Sequence, residues 1–313
     1  MAEKEWIARY FAPLAKGQGA AGLRDDVALL ETAGSVAITV DAMVEGVHFL
    51  VTDPIDTVAR KLVRTNVSDL LASGAEPAEA LLTLGWPKAR GEAEIAAFAA
   101  ALGDELGAWG AQLIGGDTVA SPHGLFLSLT LTGLCLADGP VRRTSARPGD
   151  SVWLTGCIGS AARGWEAVSG GGKGVDGDRW PNAYWLPELP PLATAAFIAS
   201  HASAAMDVSD GLLIDAGSLA AASGVSLEIE LGAVVFAGGA DGEAEMLKLA
   251  TWGDDYQVLF TASEAASASI AQEASEKGIQ LARIGKISGG SGLSLILRGR
   301  SVNLPETLGF EHG

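Results

Sequence analysis

Ala204-Ala205-Met206-Asp207-Val208-Ser209-Asp210-Gly211-Leu212-Leu213, continuing as Ile214-Asp215-Ala216-Gly217-Ser218-Leu219-Ala220, sets the pattern for the whole chain. Small apolar residues lead in, and two carboxylates and a hydroxyl follow within four positions. After Gly211 the apolar residues 212, 213, 216, 219 and 220 fall at helical spacing, which predicts a short strand turning into a helix with Asp210 as its N-cap. If the extended conformation persists to Ser209, Asp207 and Ser209 share one face, with Asp210 at the helix mouth. A helix mouth favours anions and keeps these carboxylates ionised. Ionised carboxylates repel phosphate unless cations stand between them, and hard oxygen ligands of this kind suit Mg²⁺. Taken alone, the stretch satisfies either a Mg²⁺-nucleotide site or an ordinary capped helix.

The remaining sequence repeats the theme of acids beside small residues. Leu23-Arg24-Asp25-Asp26 enters an apolar run; Val36-Ala37-Ile38-Thr39-Val40-Asp41 is β-rich and closes on an acid, with His48 seven residues later. Asp53-Pro54 opens a predicted helix that carries Asn66-Val67-Ser68-Asp69, where Asn66 and Asp69 share a face. That tetrapeptide resembles Asp207-Val208-Ser209-Asp210 and suggests two related halves. Strands are expected over 80–86, 111–114 and 125–136, with a helix over 91–108. Gly115-Gly116-Asp117-Thr118 reads as a strand end at which backbone approaches a ligand and Asp117 adds another acid.

Ala137-Asp138-Gly139-Pro140 breaks the chain, so the expected domains are 1–138 and 139–313. Arg142, Arg143 and Arg147 then cluster before Pro148-Gly149-Asp150; guanidinium groups there either clamp a polyphosphate or balance surface acids. Ser169-Gly170-Gly171-Gly172-Lys173-Gly174 fails the P-loop pattern because Lys173 precedes Gly rather than Ser or Thr. Loops are expected over 16–22 and 169–179, a helix over 5–14, and a proline-rich connector over 184–191. Further strands are expected over 151–155, 227–231, 281–287 and 293–297, and helices over 243–249 and 265–277.

Composition narrows the function classes. A 313-residue chain with 48% hydrophobic and 19% charged residues is globular and large enough for two cores. Its formal net charge of -17 argues against nucleic-acid and anionic-membrane partners. No apolar run reaches membrane-spanning length and no leader pattern is visible at the N-terminus. Cys135 and Cys157, the two cysteines, form neither a disulfide framework nor a zinc pattern, so a reducing cytoplasmic setting is expected. Asp25, Asp26, Asp41, Asp69, Asp117, Asp207 and Asp210 all lie near Gly, Ser or Thr; such acids add little to a core, whereas Mg²⁺ ions with a nucleoside triphosphate account for the recurrence.

Jointly, these stretches carry a resemblance. Arg24-Asp25-Asp26-Val27-Ala28, Asp41 with Glu45-Gly46-Val47-His48-Phe49, Asn66-Val67-Ser68-Asp69, Gly115-Gly116-Asp117-Thr118, residues 143–150, Asp207-Val208-Ser209-Asp210-Gly211 and Gly253-Asp254-Asp255-Tyr256 are similar, in order, to the thiamine-monophosphate kinase family. The resemblance implies ATP-dependent phosphorylation of thiamine monophosphate to thiamine diphosphate. It implies an α/β (α+β) two-domain fold like that of aminoimidazole ribonucleotide synthetase, in which the N-terminal domains of a homodimer build a β-barrel.

By position, the resemblance assigns Mg²⁺ to Asp26, Thr39, Asp41, Asp69, Asp117, Asp207 and Asp210. It assigns ATP to Gly116, Asp117, Arg143 and Ser209, and thiamine monophosphate to His48, Asp254 and Phe310. Asp207, Asp210 and Arg143 would be the catalytic groups. The attacking phosphate oxygen is already anionic at neutral pH, so positioning and charge neutralisation suffice without a strong base. Arg24 replaces the family's usual Gly, Asp254 its usual Glu, Val40 a common Thr, and Phe310 stands where a Tyr or Trp is frequent. These departures leave open a non-catalytic nucleotide-binding homologue. The related hydrogenase-maturation dehydratase and selenophosphate synthetase are disfavoured, because the chain ends in Gly313 and has no cysteine before Cys135.

Overall fold

In a computed structural model the described residues are 6–16, 34–169 and 179–310. Arg24, Asp25 and Asp26, residues 17–22 and 170–178, and the tail 311–313 lie outside the described residues. The chain divides into two compact units, one of residues 1–70 and 75–139, the other of 71–74 and 140–313.

In the first unit, β1 (Val36–Val44), β2 (Ala75–Pro87), β3 (Gln112–Ser121) and β4 (Phe126–Cys135) form one sheet in the order β1-β4-β2-β3. β-branched residues dominate β1 and keep it extended past Asp41, pairing antiparallel with β4 from Val36↔Leu134 to Val44↔Phe126. Asp41 therefore lies inside a strand rather than closing it. β3 likewise runs through Gly115-Gly116-Asp117-Thr118, parallel to β2, so the expected strand end is a strand interior. A bulge between Ala80 and Leu81 sets that register, and a Cβ on Gly116 would come within 2.0 Å of the Leu82 carbonyl oxygen, which only glycine avoids.

Helix α1 (Ile55–Ala72) starts where Asp53-Pro54 predicts it, with an Asp53 carboxylate oxygen accepting the Leu50 N–H at 2.8 Å. Its buried residues Val58, Leu62, Val63, Val67 and Leu70 recur at helical spacing, as do Ile95, Phe98, Leu102 and Leu106 of α2 (Glu92–Ala108). Leu82, Leu84, Leu127, Leu129 and Leu131 bury one face of the sheet; Thr39 shares that face and donates its hydroxyl to Asp69 of α1. The opposite face carries exposed Ile38, Val40, Leu81, Val119 and Phe126. Where an amphipathic helix is expected near the N-terminus, the chain makes a π-helical turn at Ile7–Phe11 and a 3₁₀ turn at Ala12–Leu14. Pro13 accounts for the irregularity, since it has no N–H for a regular α-helix.

In the second unit, β5 (Asp150–Thr155), β6 (Ala204–Val208), β7 (Ser226–Glu230), β8 (Gln257–Ser263), β9 (Leu281–Ser288), β10 (Gly292–Leu297) and β11 (Arg300–Val302) form a sheet ordered β11-β10-β7-β9-β5-β8-β6. Alternate residues feed two apolar layers. Val152, Leu154, Met206 and Leu259 pack with Leu212, Ala216 and Leu219 of the helix Leu212–Ser223, whereas Trp153, Ala205, Val258 and Phe260 pack with Phe197 and Ile270. The helices, in chain order, are α3 (Ser160–Ser169), α4 (Arg179–Trp185), α5 (Ala193–His201), α6 (Leu212–Ser223), α7 (Glu243–Ala250) and α8 (Ser267–Glu276). Tyr184 and Trp185 end α4 rather than begin a connector, and the Tyr184 ring packs 5.5 Å from that of Trp165 in α3.

The two similar tetrapeptides do not mark repeated halves. Asn66-Val67-Ser68-Asp69 is helix interior in α1, while Asp207-Val208-Ser209-Asp210 ends a strand and turns. Tertiary packing decides each conformation, and four residues carry too little local preference to resist it.

Candidate functional site

At the end of β6 the chain turns through Ser209-Asp210-Gly211 into α6. Gly211, not Asp210, occupies the N-cap, with φ 129°, a conformation open to glycine and strained for other residues. The mouth is closed from inside the helix: an Asp215 carboxylate oxygen accepts the N–H groups of Asp210 at 3.1 Å and Gly211 at 3.2 Å. Burial pushes the Asp215 carboxyl up to about 7, with the Asp210 charge adding to it and these N–H groups opposing.

Three successive carbonyls of this turn each take an N–H from another functional segment. Val208 accepts from Tyr256 at 2.8 Å, Ser209 from Asp254 at 2.7 Å, and Asp210 from Phe310 at 2.9 Å. The second unit thereby brings Asp207, Ser209, Asp210, Asp254 and Phe310 together, although they span a hundred residues of sequence. Asp207 is buried on β6 and Phe310 is exposed. A cavity of about 200 Å³ opens beside Asp254, walled by Cys157, Ser160, Pro187, Glu188 and Gln257.

Asp255 turns the other way. Its buried carboxylate accepts the N–H groups of Gly159 at 2.6 Å and Ala161 at 3.1 Å, capping α3. Burial pushes its carboxyl up to about 7, partly offset by those N–H groups. Between the unfolded value of 3.8 and about 7 the native chain holds this proton and the unfolded chain does not, so stability falls as pH rises across that window. Urea denaturation at pH 5 and pH 7 is expected to show wild type losing on the order of 2 kcal/mol more than Asp255→Asn over the interval. Equal pH dependence in the two proteins would refute the shift.

Arg143 is not brought to this group. Its carbonyl accepts the Ser223 hydroxyl at 2.7 Å, and Ser223 also accepts the Ala146 N–H, which ties residues 143–146 to the C-terminal end of α6. The helix mouth at Asp210 lies about 18 Å away along the helix axis, farther than an arginine side chain reaches. Sequence adjacency to the β5 strand gives no hint of this, because a tertiary contact sets it.

In the first unit, Thr39 and Asp41 share the buried face of β1, and Asp69 joins them through the Thr39 hydroxyl. Asp117 does not join them. Through the pairs Ala42↔Ser128, Thr83↔Ser128 and Thr83↔Asp117 it lies on the opposite face of the sheet, on the far edge strand, about 14 Å across three strand spacings. Gly116 sits beside it. His48 accepts the Val44 N–H on Nδ1 at 3.0 Å, which places its proton on Nε2 when neutral. Asp26 lies outside the described residues.

Among the described residues no three His, Cys, Asp or Glu side chains assemble a metal cluster. The acids stand in twos instead: Asp41 on the same strand face as Thr39, to which Asp69 is bonded, and Asp207 three residues before Asp210 along one strand and turn. All donors are carboxylate or hydroxyl oxygens. Mg²⁺ takes one or two carboxylates and completes its shell with water and substrate phosphates, so such pairs fit it and do not fit zinc. The acids that sequence reading missed are Asp215 and Asp255. Asp215 stands in the first turn of α6, where a carboxylate complements the helix dipole, and that position is a usable sequence signal.

The chain is similar to known proteins along most of its length. Residues 24–135 match the AIR synthase related protein N-terminal domain, and residues 147–298 match the AIR synthase related protein C-terminal domain. A thiamine-monophosphate kinase from Caulobacter vibrioides is 36% identical over 322 residues, covering 99% of this chain and 91% of its own length. The crystal structure of thiamine-monophosphate kinase from Stenotrophomonas maltophilia aligns with a TM-score of 0.78 at 30% identity, covering 89% of this chain and 90% of that one. A structure described as AaThiL complexed with AMPPCP and TMP aligns with a TM-score of 0.76 at 25% identity, covering 100% of this chain and 99% of that one.

Proposed function

This chain belongs to the thiamine-monophosphate kinase family of AIR synthase related proteins, and on that premise we propose how its residues carry out the reaction it catalyses, the ATP-dependent phosphorylation of thiamine monophosphate to thiamine diphosphate. The observation that carries the proposal is the triple carbonyl contact. It sets the substrate-side residues Asp254 and Phe310 against the turn bearing Asp207, Ser209 and Asp210.

By position, Asp207 and Asp210 of the second unit, and Asp26, Thr39, Asp41, Asp69 and Asp117 of the first, would hold Mg²⁺. When bound, the ion supplies neutralisation of charge on the phosphoryl group in transfer. Ser209 donates its hydroxyl to ATP, while Gly116 lets backbone approach the nucleotide and Asp117 accompanies it. Arg143 pairs with ATP oxygens, a role its distance from Asp207 and Asp210 permits. His48 presents Nε2–H to thiamine monophosphate. Asp254 offers a carboxylate to its cationic ring system, and Phe310 offers an aromatic face. The nucleophilic phosphate oxygen needs no base, so these groups act by placement and by excluding water.

The exposed apolar strip of the first unit supports a homodimer in which two such sheets close into a β-barrel. Asp117 lies on that same face, so pairing brings it into the interface region. No helix among the described residues is long and apolar enough to cross a membrane. Cys135 and Cys157 are not joined in a disulfide, which supports a cytoplasmic setting.

The test is thiamine diphosphate formation by the purified chain with Mg²⁺, ATP and thiamine monophosphate, with free thiamine as a parallel acceptor. Product from the monophosphate alone is expected. Mg²⁺-dependent ATP binding without product would favour the non-catalytic homologue instead.

A further inference from the structure

Gly253-Asp254-Asp255-Tyr256 is bent through two left-handed residues, with φ 69° at Asp254 and 50° at Tyr256. Aspartate tolerates that region, but tyrosine rarely adopts it, and such a conformation persists only where neighbours hold it. Here the holding contacts come from both sides. The N–H groups of Asp254 and Tyr256 are taken by the carbonyls of Ser209 and Val208, and Asp255 between them is pinned through its carboxylate to the start of α3. Tyr256 itself is buried, and its hydroxyl donates to Oδ1 of Asp254 at 2.9 Å.

Asp254 has a short side chain with only two torsions, so its carboxylate stands where the backbone and its bracing groups, the Tyr256 hydroxyl among them, put it. We propose that Tyr256 and Asp255 are positioning residues for Asp254, the first by orienting its carboxylate and the second by locking the bend that presents it to the organic-cation end of the substrate. This rests on the reading of Asp254 as a substrate contact. Neither residue need touch the substrate. The strained bend is the device that converts two buried contacts into one carboxylate position at the mouth of the neighbouring cavity.

Steady-state kinetics on wild type, Tyr256→Phe, Asp254→Asn and the double variant test the proposal. Tyr256→Phe removes one oxygen atom and keeps the buried ring. It is expected to raise KM for thiamine monophosphate about fivefold, with kcat and KM for ATP changed less than about twofold. In the Asp254→Asn background the same substitution is expected to change that KM by less than about twofold, because the brace has lost its carboxylate. Asp255→Asn is expected to raise the same KM and leave that for ATP unchanged. A Tyr256→Phe effect of equal size in both backgrounds would assign Tyr256 to packing alone and overturn the proposal, as would an unchanged KM in the single variant. Wild type that forms no thiamine diphosphate would overturn the kinase reading itself, a failure visible before any variants are compared.

Discussion

An Asp207→Ala variant is expected to form thiamine diphosphate at least about a thousandfold more slowly than wild type while melting within about 5 °C of it. Asp207 stands at the end of β6, one residue beyond the apolar Met206, on an edge strand whose pairing with β8 is made by backbone. Removing the carboxylate leaves that ladder intact and deletes no apolar packing, so the fold survives. On the proposed reading, what is lost is an anionic oxygen that would hold a cation against the phosphates. A loss of this size corresponds to about 4 kcal/mol of transition-state stabilisation, within the range for one electrostatic group in a water-excluded site. The assay is product formation at saturating Mg²⁺, with a thermal melt of each protein alongside. Undiminished turnover would remove Asp207 from the metal set.

If the first unit pairs through its exposed face as proposed, the paired substitution Ile38→Asp and Val40→Asp is expected to leave a monomer of unchanged secondary structure where wild type is a dimer. Both residues are more than 60% exposed in the single chain, at 65% and 61%, and alternate with Thr39 and Asp41, which face the other way. Burying them against a second sheet is favourable, whereas burying an unpaired carboxylate in the same place costs several kcal/mol. Two such groups per chain weaken association by at least about a thousandfold. Light scattering at micromolar concentration separates the outcomes. A variant that keeps the mass of the wild-type dimer would show that this face is not the interface.

How far the sequence reveals this molecule can be argued from its acids. Asp207, Ser209 and Asp210 are legible because strand, turn and helix follow one another locally, each with its own periodicity. Asp53-Pro54 is legible for the same reason, as the start of α1. Asp41 and Asp117 are not: both look like strand-end acids, yet they stand on opposite faces of one sheet. Their separation depends on a bulge and on which strands pair, and neither is a local property. Arg143 is misplaced by its neighbours in sequence because Ser223, eighty residues away, decides where it sits. Asp255 looks like one half of an acidic pair with Asp254, but its partners are the N–H groups of α3, nearly a hundred residues earlier.

That last contact leaves the second unit with a helix start already occupied from within the chain. Gly156-Cys157-Ile158-Gly159 runs from a strand end into a helix, the kind of junction whose open N–H groups attract phosphate. Asp255 occupies those N–H groups with a carboxyl group belonging to the chain, and Asp254 and Glu188 stand at the same cavity. A dipolar guest approaching here meets carboxylates where a bare helix start would have welcomed its phosphate. If thiamine monophosphate binds beside Asp254 as proposed, the occupied helix start leaves its phosphate no competing place here, which favours the orientation with the cationic end toward Asp254.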